Sequence, residues 1–542
     1  MHPVLTHPTT GMLLLSLAAL LVVVAGALAF SGRTGLALVA VVGLGFCLRL
    51  HTVAAEPFLQ PWDERYHALV ARNMMAQPLV PMLYADPALP YDYRDWTFNQ
   101  YWLHKPPLAL WIMAGSMQLF GVNLFALRLP SLLFSTALIA VMFGFGRWLV
   151  SARVGLWTAF LVSISGIMVE LPAGRIATDH VDMAFVFFLA LAGWAGLAFA
   201  RQPAWYRAAG FALALCLAVY TKWLTALFLL PVVAVAVFFR WGQGQHRAKV
   251  LRLPALQLAL LSAAVLAAAW FWQQYTQKHF PLEAVWESAY NFRHLVEPLE
   301  GHKHDWVYHF SRMEQMFGWW CFPALLWLLF RSWHKDSYAR TAVAGPAAAE
   351  DLAKQRGQPD RTPSGRWIRA GLAAWWMLPL LVFTLAATKM RLYMLPIAPV
   401  CWLAVAVLLD DLWQGRGVFQ PIRSALFRKA LTLAFLGWAL LDMAHEVGFL
   451  KESYGQPADW MTEVDLVHAY LNHSPGALTV VFNARRPIEL MFHTGVTAYD
   501  WVPQDSVWDA LEPGRTNLVL NHAGENLHAW PQLRGVTVLD VP

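Results

Sequence analysis

The chain has 542 residues, of which 58% are hydrophobic and only 14% charged. Soluble domains carry about a quarter charged residues, so a soluble globular fold is excluded. The net charge of +6 is no sign of nucleic-acid binding, because the basic residues lie in short loops between apolar runs, where they set membrane topology.

Twelve apolar segments follow in order, at roughly 12–30, 36–51, 129–146, 154–170, 182–200, 208–221, 223–239, 253–272, 315–330, 370–388, 392–409 and 430–445. About 20 apolar residues cross a bilayer, and lipid offers no partner to unpaired backbone groups, so helices are expected. The first segment lacks a basic leader and is followed at once by the second, which reads as a retained helix rather than a signal peptide. Cys47, Cys216, Cys321 and Cys401 fall in or beside these runs with no C-x-x-C pair, so buried small hydrophobes are expected rather than a disulfide or metal framework.

The connecting loops alternate. One set holds Arg33, Arg147, Arg153, Arg201, Arg207, Arg240, Arg247, Lys249, Arg252, the stretch 331–369 and Arg416, Arg423, Arg428 and Lys429. It contains 21 of the 40 Lys and Arg residues but 6 of the 34 Asp and Glu. This asymmetry places the basic set in the cytoplasm. Residues 52–128, 171–181, 273–314, 389–391 and 447–542 then face outward. Within the basic set, 333–366 is rich in Ala, Gly, Pro and charge and reads as a flexible linker. After 446 the pattern changes. Strand-like runs at Leu478–Phe482, Asn517–Leu520 and Gly535–Leu539 predict a small outer α/β domain over 447–542. The expected organisation is a 1–446 transmembrane part with large outer loops, followed by that domain.

Transporters place polar groups at mid-span. Here the ionisable residues crowd the outer loops, which favours an active site at the outer surface over a transporter or flippase of a lipid-linked sugar. In the first loop Asp63 and His67 are four apart on a helix-compatible stretch and share a face. Asp63 is a candidate general base or, alternatively, a helix N-cap with Glu64 in the first turn. Lys105, in Tyr101-Trp102-Leu103-His104-Lys105-Pro106-Pro107, suits a phosphate; a snorkelling interfacial lysine is the plain alternative. Ala173-Gly174-Arg175 with Asp179, Thr221-Lys222 and Thr388-Lys389 through Tyr393 add charges at other outer span edges. The 273–314 loop carries Glu287, Tyr290, Asn291, Arg293 and His294, then a His302/His304/Asp305 cluster that reads as a hydrated surface group before a metal site.

In this order, Asp63-Glu64, His104-Lys105-Pro106-Pro107 with Leu119-Phe120-Gly121, Arg128-Leu129-Pro130-Ser131, Asp179 after Ala173-Gly174-Arg175, Thr221-Lys222, and Lys389 through Tyr393-Met394-Leu395-Pro396 resemble the bacterial relatives of protein O-mannosyltransferases and of the lipid A aminoarabinose transferase. The resemblance covers about residues 36–415. It implies a GT-C-type polytopic fold in a bacterial inner membrane, and inverting transfer of a sugar from a polyprenyl-phosphate donor to a periplasmic acceptor: lipid A or lipopolysaccharide, another envelope glycan, or a protein. It further implies Asp63 as the catalytic carboxylate with Asp179 and Glu64 as further acidic site residues, and Lys105, Lys222, Arg293, Tyr393 and Lys389 around the donor phosphate. The family also uses a divalent metal. Here His104 stands where a ligand glutamate is expected, and Ser288-Ala289-Tyr290-Asn291 replaces a His-Glu-His-Phe segment. His104 with His67, or with a residue of the His302 cluster, would rebuild a metal site.

Overall fold

The computed structural model describes residues 8–176, 179–241, 247–331, 365–447, 460–473, 479–503, 508, 515–530, 533 and 536–541. All but the last two residues of the expected 333–366 linker fall outside this set.

In chain order, α1 (Pro8–Phe30) and α2 (Thr34–Ala55) form an apolar hairpin. The first outer loop holds α3 (Asp63–Met74) and α4 (Pro107–Phe120). Next come α5 (Leu124–Leu149), α6 (Ala152–Ser163), α7 (Gly166–Glu170), α8 (His180–Arg201), α9 (Trp205–Lys222), α10 (Leu229–Trp241) and α11 (Arg247–His279). The second outer loop holds α12 (Pro281–Val296) and α13 (Tyr308–Phe317), after which α14 (Cys321–Phe330), α15 (Arg366–Leu385), α16 (Ala398–Gln414) and α17 (Ala425–Val447) complete the bundle. Among the described residues, nine helical stretches are long and apolar enough to cross a membrane, or ten if the bent pair α6–α7 counts as one. Each of the twelve apolar segments contains helix, but among the described residues they do not make twelve spans. The pair 208–221 and 223–239 belongs to one apolar stretch, Trp205–Trp241, that doubles back. Trp223 takes a left-handed φ of 52° at the break, and the Trp241 indole returns to donate to the Ala200 carbonyl, 2.8 Å away, at the end of α8. The segment at 315–330 is shortened to the ten residues of α14. The chain is a multi-pass membrane protein.

Polar groups inside this body are matched to broken backbone. The Asn123 side chain accepts from Ala126 N and caps α5, and Ser151 caps α6 through Val154 N. Between α6 and α7 the chain bends by 59°, which leaves carbonyls at the end of α6 without helical partners. Arg49 of α2, fully buried, donates to Val162 O and Ser163 O at 2.9 Å and to Ser135 Oγ. At one end of the bundle Asp410 and Asp411 of α16 take Arg153, Arg331 and Arg416 from the basic loops. The opposite end gathers residues 52–128, the start of α8, the end of α9, the 280–310 loop and residues 386–397.

Beyond α17, α18 (Trp460–His473), β1 (Thr479–Phe482), α19 (Pro487–Thr494), β2 (Thr497–Ala498), β3 (Thr516–Asn521) and β4 (Thr537–Asp540) build a small α/β unit. Its strands are parallel in the order β2-β1-β3-β4, with Val481 opposite Leu518 and Val519 opposite Val538. Three strands lie where apolar runs predict them. The fourth, β2, has two residues, too few to leave a periodic pattern.

Candidate active site

Asp63 is the first residue of α3, directly after Trp62, whose side chain makes no capping bond. Its carboxylate is about a quarter exposed and lies 3.9 Å from Lys105 Nζ. The N-cap alternative therefore does not hold: Asp63 lies inside the helix and faces a cation brought from 42 residues further along the chain. Lys105 is also within electrostatic reach of Asp182, Glu287 and Glu300. Asp182, one turn into α8, is paired with Lys222 at the end of α9. Tyr393, stacked on Phe383 at 4.6 Å, lies within reach of Asp182 and Glu300. Asp63, Lys105, Lys222 and Tyr393 are thus linked, through Asp182 and Glu300, in one charged cluster at one end of the bundle.

Asp179 and Glu64 are placed differently. Asp179 is fully buried, receives His67 Nδ1 at 2.8 Å, and caps α8 through Val181 N. Burial alone would raise its pKa, but His67 and His180 outweigh it and hold the carboxyl well below the usual range. Glu64 is equally buried and takes a bidentate Arg128, at 2.7 and 2.9 Å, together with His180 Nε2 and the Gln60 amide. Here again burial pushes the pKa up, and Arg128 and His180 push it further down. With its oxygens bonded in this way, Glu64 has no free position for a reacting proton. The expectation that it is catalytic is corrected: it locks α3 to α5. Arg128 reaches on to Glu56 O and Phe58 O. Gly174 explains the Ala173-Gly174-Arg175 motif: it has φ 70°, and a Cβ there would lie 2.6–2.7 Å from the Glu64 carboxylate. Gly174→Ala should cost at least about 1 kcal/mol and lower the thermal midpoint of the purified protein, while Gly115→Ala, in open space, should not.

Two of the residues expected around the donor phosphate are held by local partners. Arg293 turns to Glu297, at 2.8 Å, on the exposed flank of α12. Lys389 is buried and donates to Ala386 O at 2.6 Å, within its own loop. Neither side chain pairs with Asp63, Lys105, Asp182, Lys222 or Tyr393 among the described residues, although Arg293 lies within electrostatic reach of Tyr290.

His67 and His104 do not form a metal pair. His67 is held by Asp179. His104 Nδ1 lies 3.1 Å from Glu287 Oε1, which also accepts from Asn291 Nδ2 at 3.0 Å, and the His104 ring is stacked on Trp96 at 4.5 Å. Burial would raise the Glu287 pKa, but His104, Lys105 and Asn291 together lower it. Among the described residues no group of three His, Cys, Asp or Glu side chains is arranged to hold a metal ion. Each histidine is paired through Nδ1 with a different carboxylate, His67 with Asp179 and His104 with Glu287, and His67 Nε2 is buried without a hydrogen-bond partner, so no set of donors is assembled around one point among the described residues. Activity in excess EDTA should equal that without it, and elemental analysis of the purified protein should find no stoichiometric zinc or manganese.

Four further residues of this cluster carried no assignment from sequence. Asp182 lies three after Asp179 on α8, a spacing that shares a helix face. Glu287 and Tyr290 lie on α12. Glu300, left-handed at φ 53°, accepts from Tyr290 OH at 2.6 Å and from Trp96 Nε1 at 3.2 Å and so ties the two outer loops together.

Residues 104–272 match the family described as dolichyl-phosphate-mannose-protein mannosyltransferase. The undecaprenyl phosphate-alpha-4-amino-4-deoxy-L-arabinose arabinosyl transferase of Aeromonas salmonicida (strain A449) is 28% identical over 383 residues, which is 67% of this chain and 58% of that protein. Its counterpart in Pseudomonas paraeruginosa (strain DSM 24068 / PA7) is 26% identical over 376 residues, 65% of this chain and 57% of that protein. The chain therefore spans less than two thirds of the length of either relative. The crystal structure of ArnT from Cupriavidus metallidurans bound to undecaprenyl phosphate aligns with a TM-score of 0.58 at 14% identity, covering 93% of this chain and 89% of that one. The apo structure of the same protein gives 0.57 at 15%, covering 94% and 90%. The fold is thus shared across nearly the whole of both chains. The chain shares the fold of these crystal structures, and its residues 104–272 resemble the dolichyl-phosphate-mannose-protein mannosyltransferase family.

Proposed function

We propose that the protein transfers a sugar from a polyprenyl-phosphate donor to an envelope acceptor, by single displacement, in a pocket facing the periplasm. The observation that carries this reading is the charged cluster that links a part-exposed carboxylate, Asp63, with two cations and a tyrosine from four separate segments at one end of a membrane bundle. The acceptor hydroxyl oxygen attacks the anomeric carbon and the bond from that carbon to the phosphate oxygen breaks. The hydroxyl proton passes to Asp63, and polyprenyl phosphate leaves with the bonding electrons. Lys105 and Lys222, with the Tyr393 hydroxyl, stabilise the charge that builds on the leaving phosphate. Asp182 holds Lys222 in place. Asp179 acts through His67, fixing the face of α3 that presents Asp63. The relatives' names support an undecaprenyl phosphate donor, and the bulk of basic loop residues at the opposite end supports the periplasmic side, in a bacterial inner membrane.

The test uses purified full-length protein, a radiolabelled polyprenyl-phosphate sugar and an envelope extract supplying lipopolysaccharide, glycan and protein acceptors. Label should move to an acceptor that no longer partitions with the polyprenol. Label crossing a proteoliposome membrane without any new glycosidic bond would support a transporter instead.

A further inference from the structure

Helix α3 presents two sides to two different bodies. Asp63 and His67 are engaged from the bundle side, by Lys105 and Asp179. Arg65 and Arg72, two turns apart, are engaged by the C-terminal α/β domain. Arg72 Nη1 donates to the main-chain oxygens of both Met491 and Phe492 at 2.6 Å. Those carbonyls belong to the last turn of α19, which ends in left-handed Gly495. The Met491 carbonyl also accepts the Gly495 amide, at 2.9 Å; a helix end carries partial negative charge, so a guanidinium there is both a hydrogen-bond and an electrostatic partner. The fit is close: a Cβ on Gly495 would lie 2.5 Å from Arg72 Nη2. Arg65 adds a second link, 3.5 Å from the buried Glu489 of α19.

The same domain also grips the segment that follows α3. The Tyr499 hydroxyl accepts from the amides of Ala88 and Leu89 at 3.0 and 3.1 Å. Arg515 makes a bidentate pair with Asp86, and Thr497 Oγ1 donates to Asp86 O. Helix α3 has twelve residues and no side-chain N-cap. A helix of that length is marginal by itself, so its placement rests on what holds it.

We propose that the C-terminal domain is a splint for the helix that carries the base, and that Arg72 is a positioning residue acting through α3 on Asp63. This rests on the assignment of Asp63 as the base. Displacement of a reacting group by about 1 Å can cost roughly 100-fold in rate, while donor binding through Lys105 and Lys222 does not pass through Arg72.

The test is Arg72→Ala in the full-length protein in lipid nanodiscs, read by amide hydrogen exchange and by steady-state kinetics. Exchange over residues 63–74 should rise while the transmembrane helices keep their protection, and kcat should fall roughly 10- to 100-fold with KM for the donor unchanged. Unchanged exchange over 63–74, or raised exchange with unchanged kcat, overturns the proposal. If exchange rises throughout the molecule, the variant has lost its fold and Arg72→Lys is read in its place. An ammonium at the helix end should restore protection of 63–74 and most of kcat, and restored protection without restored kcat overturns the proposal. Should the wild-type protein transfer no sugar, the proposed function fails, while exchange over 63–74 still decides whether the domain holds α3.

Discussion

Asp63→Asn should reduce kcat by about 10²- to 10⁴-fold, the range that a positioned general base contributes, with KM for the lipid-linked donor no higher than in the wild type. The sign of the second effect follows from the geometry. Asp63 is the carboxylate nearest the Lys105 ammonium, at 3.9 Å. Removing its charge leaves Lys105 freer to meet a phosphate, so donor affinity should hold or improve while turnover collapses. Lys105→Met should do the reverse in part, raising KM for the donor as well as lowering kcat, because it removes a group that meets phosphate in both ground and transition states. A variant pair in which both substitutions raise KM equally and leave kcat alone would remove the division of labour between these two residues. Initial rates at saturating and limiting donor separate these outcomes.

Arg128→Leu should be the most destabilising single substitution at this end of the molecule, costing about 3–5 kcal/mol. Arg128 and Glu64 are both fully shielded from solvent. Taking away the guanidinium strands a buried carboxylate and also orphans the carbonyls of Glu56 and Phe58, which tie the end of α2 to the start of α3. Glu64 would then either protonate or draw in water, and His180 could offset only part of the loss. Arg128→Leu with Glu64→Leu should recover much of the stability, since an apolar pair leaves no uncompensated charge. Thermal unfolding of the two variants and the wild type, followed by the fluorescence of a thiol-reactive dye on the four buried or half-buried cysteines, checks this. Equal midpoints for Arg128→Leu and the double variant would show that the buried charge is not the source of the cost.

The membrane architecture was legible because lipid imposes a strong rule on sequence: long uncharged runs, and basic loops gathered at one end. Asp63, Lys105, Lys222 and Tyr393 were legible as a set because each stands at an outer span edge within a recognisable short motif. Partnerships were not legible. Asp182 and Lys222 are 40 residues apart, and no local pattern says that their helices lie side by side. The isolated arginine of α2 gave no hint that Arg49 would serve the carbonyls of a bend more than 110 residues away. Glu64 read as a site acid because it adjoins Asp63, yet adjacent helix residues point about 100° apart, and one step turns this carboxylate from the pocket into the core. Likewise, Arg293 and Lys389 bear the right charge in the right loops, but local acceptors at Glu297 and Ala386 capture them. The link from Arg72 to α19 spans 419 residues and joins two units whose patterns share nothing.

The most direct measurement is the anomeric configuration of the product together with the fate of the phosphate. Purified protein, a polyprenyl-phosphate sugar of defined anomer and an acceptor recovered from the envelope extract would be followed by NMR and mass spectrometry. One free polyprenyl monophosphate should appear for each new glycosidic bond, with the opposite configuration at the transferred carbon. Retained configuration, or sugar release without a new bond, would contradict a single displacement in the pocket of Asp63, Lys105 and Lys222.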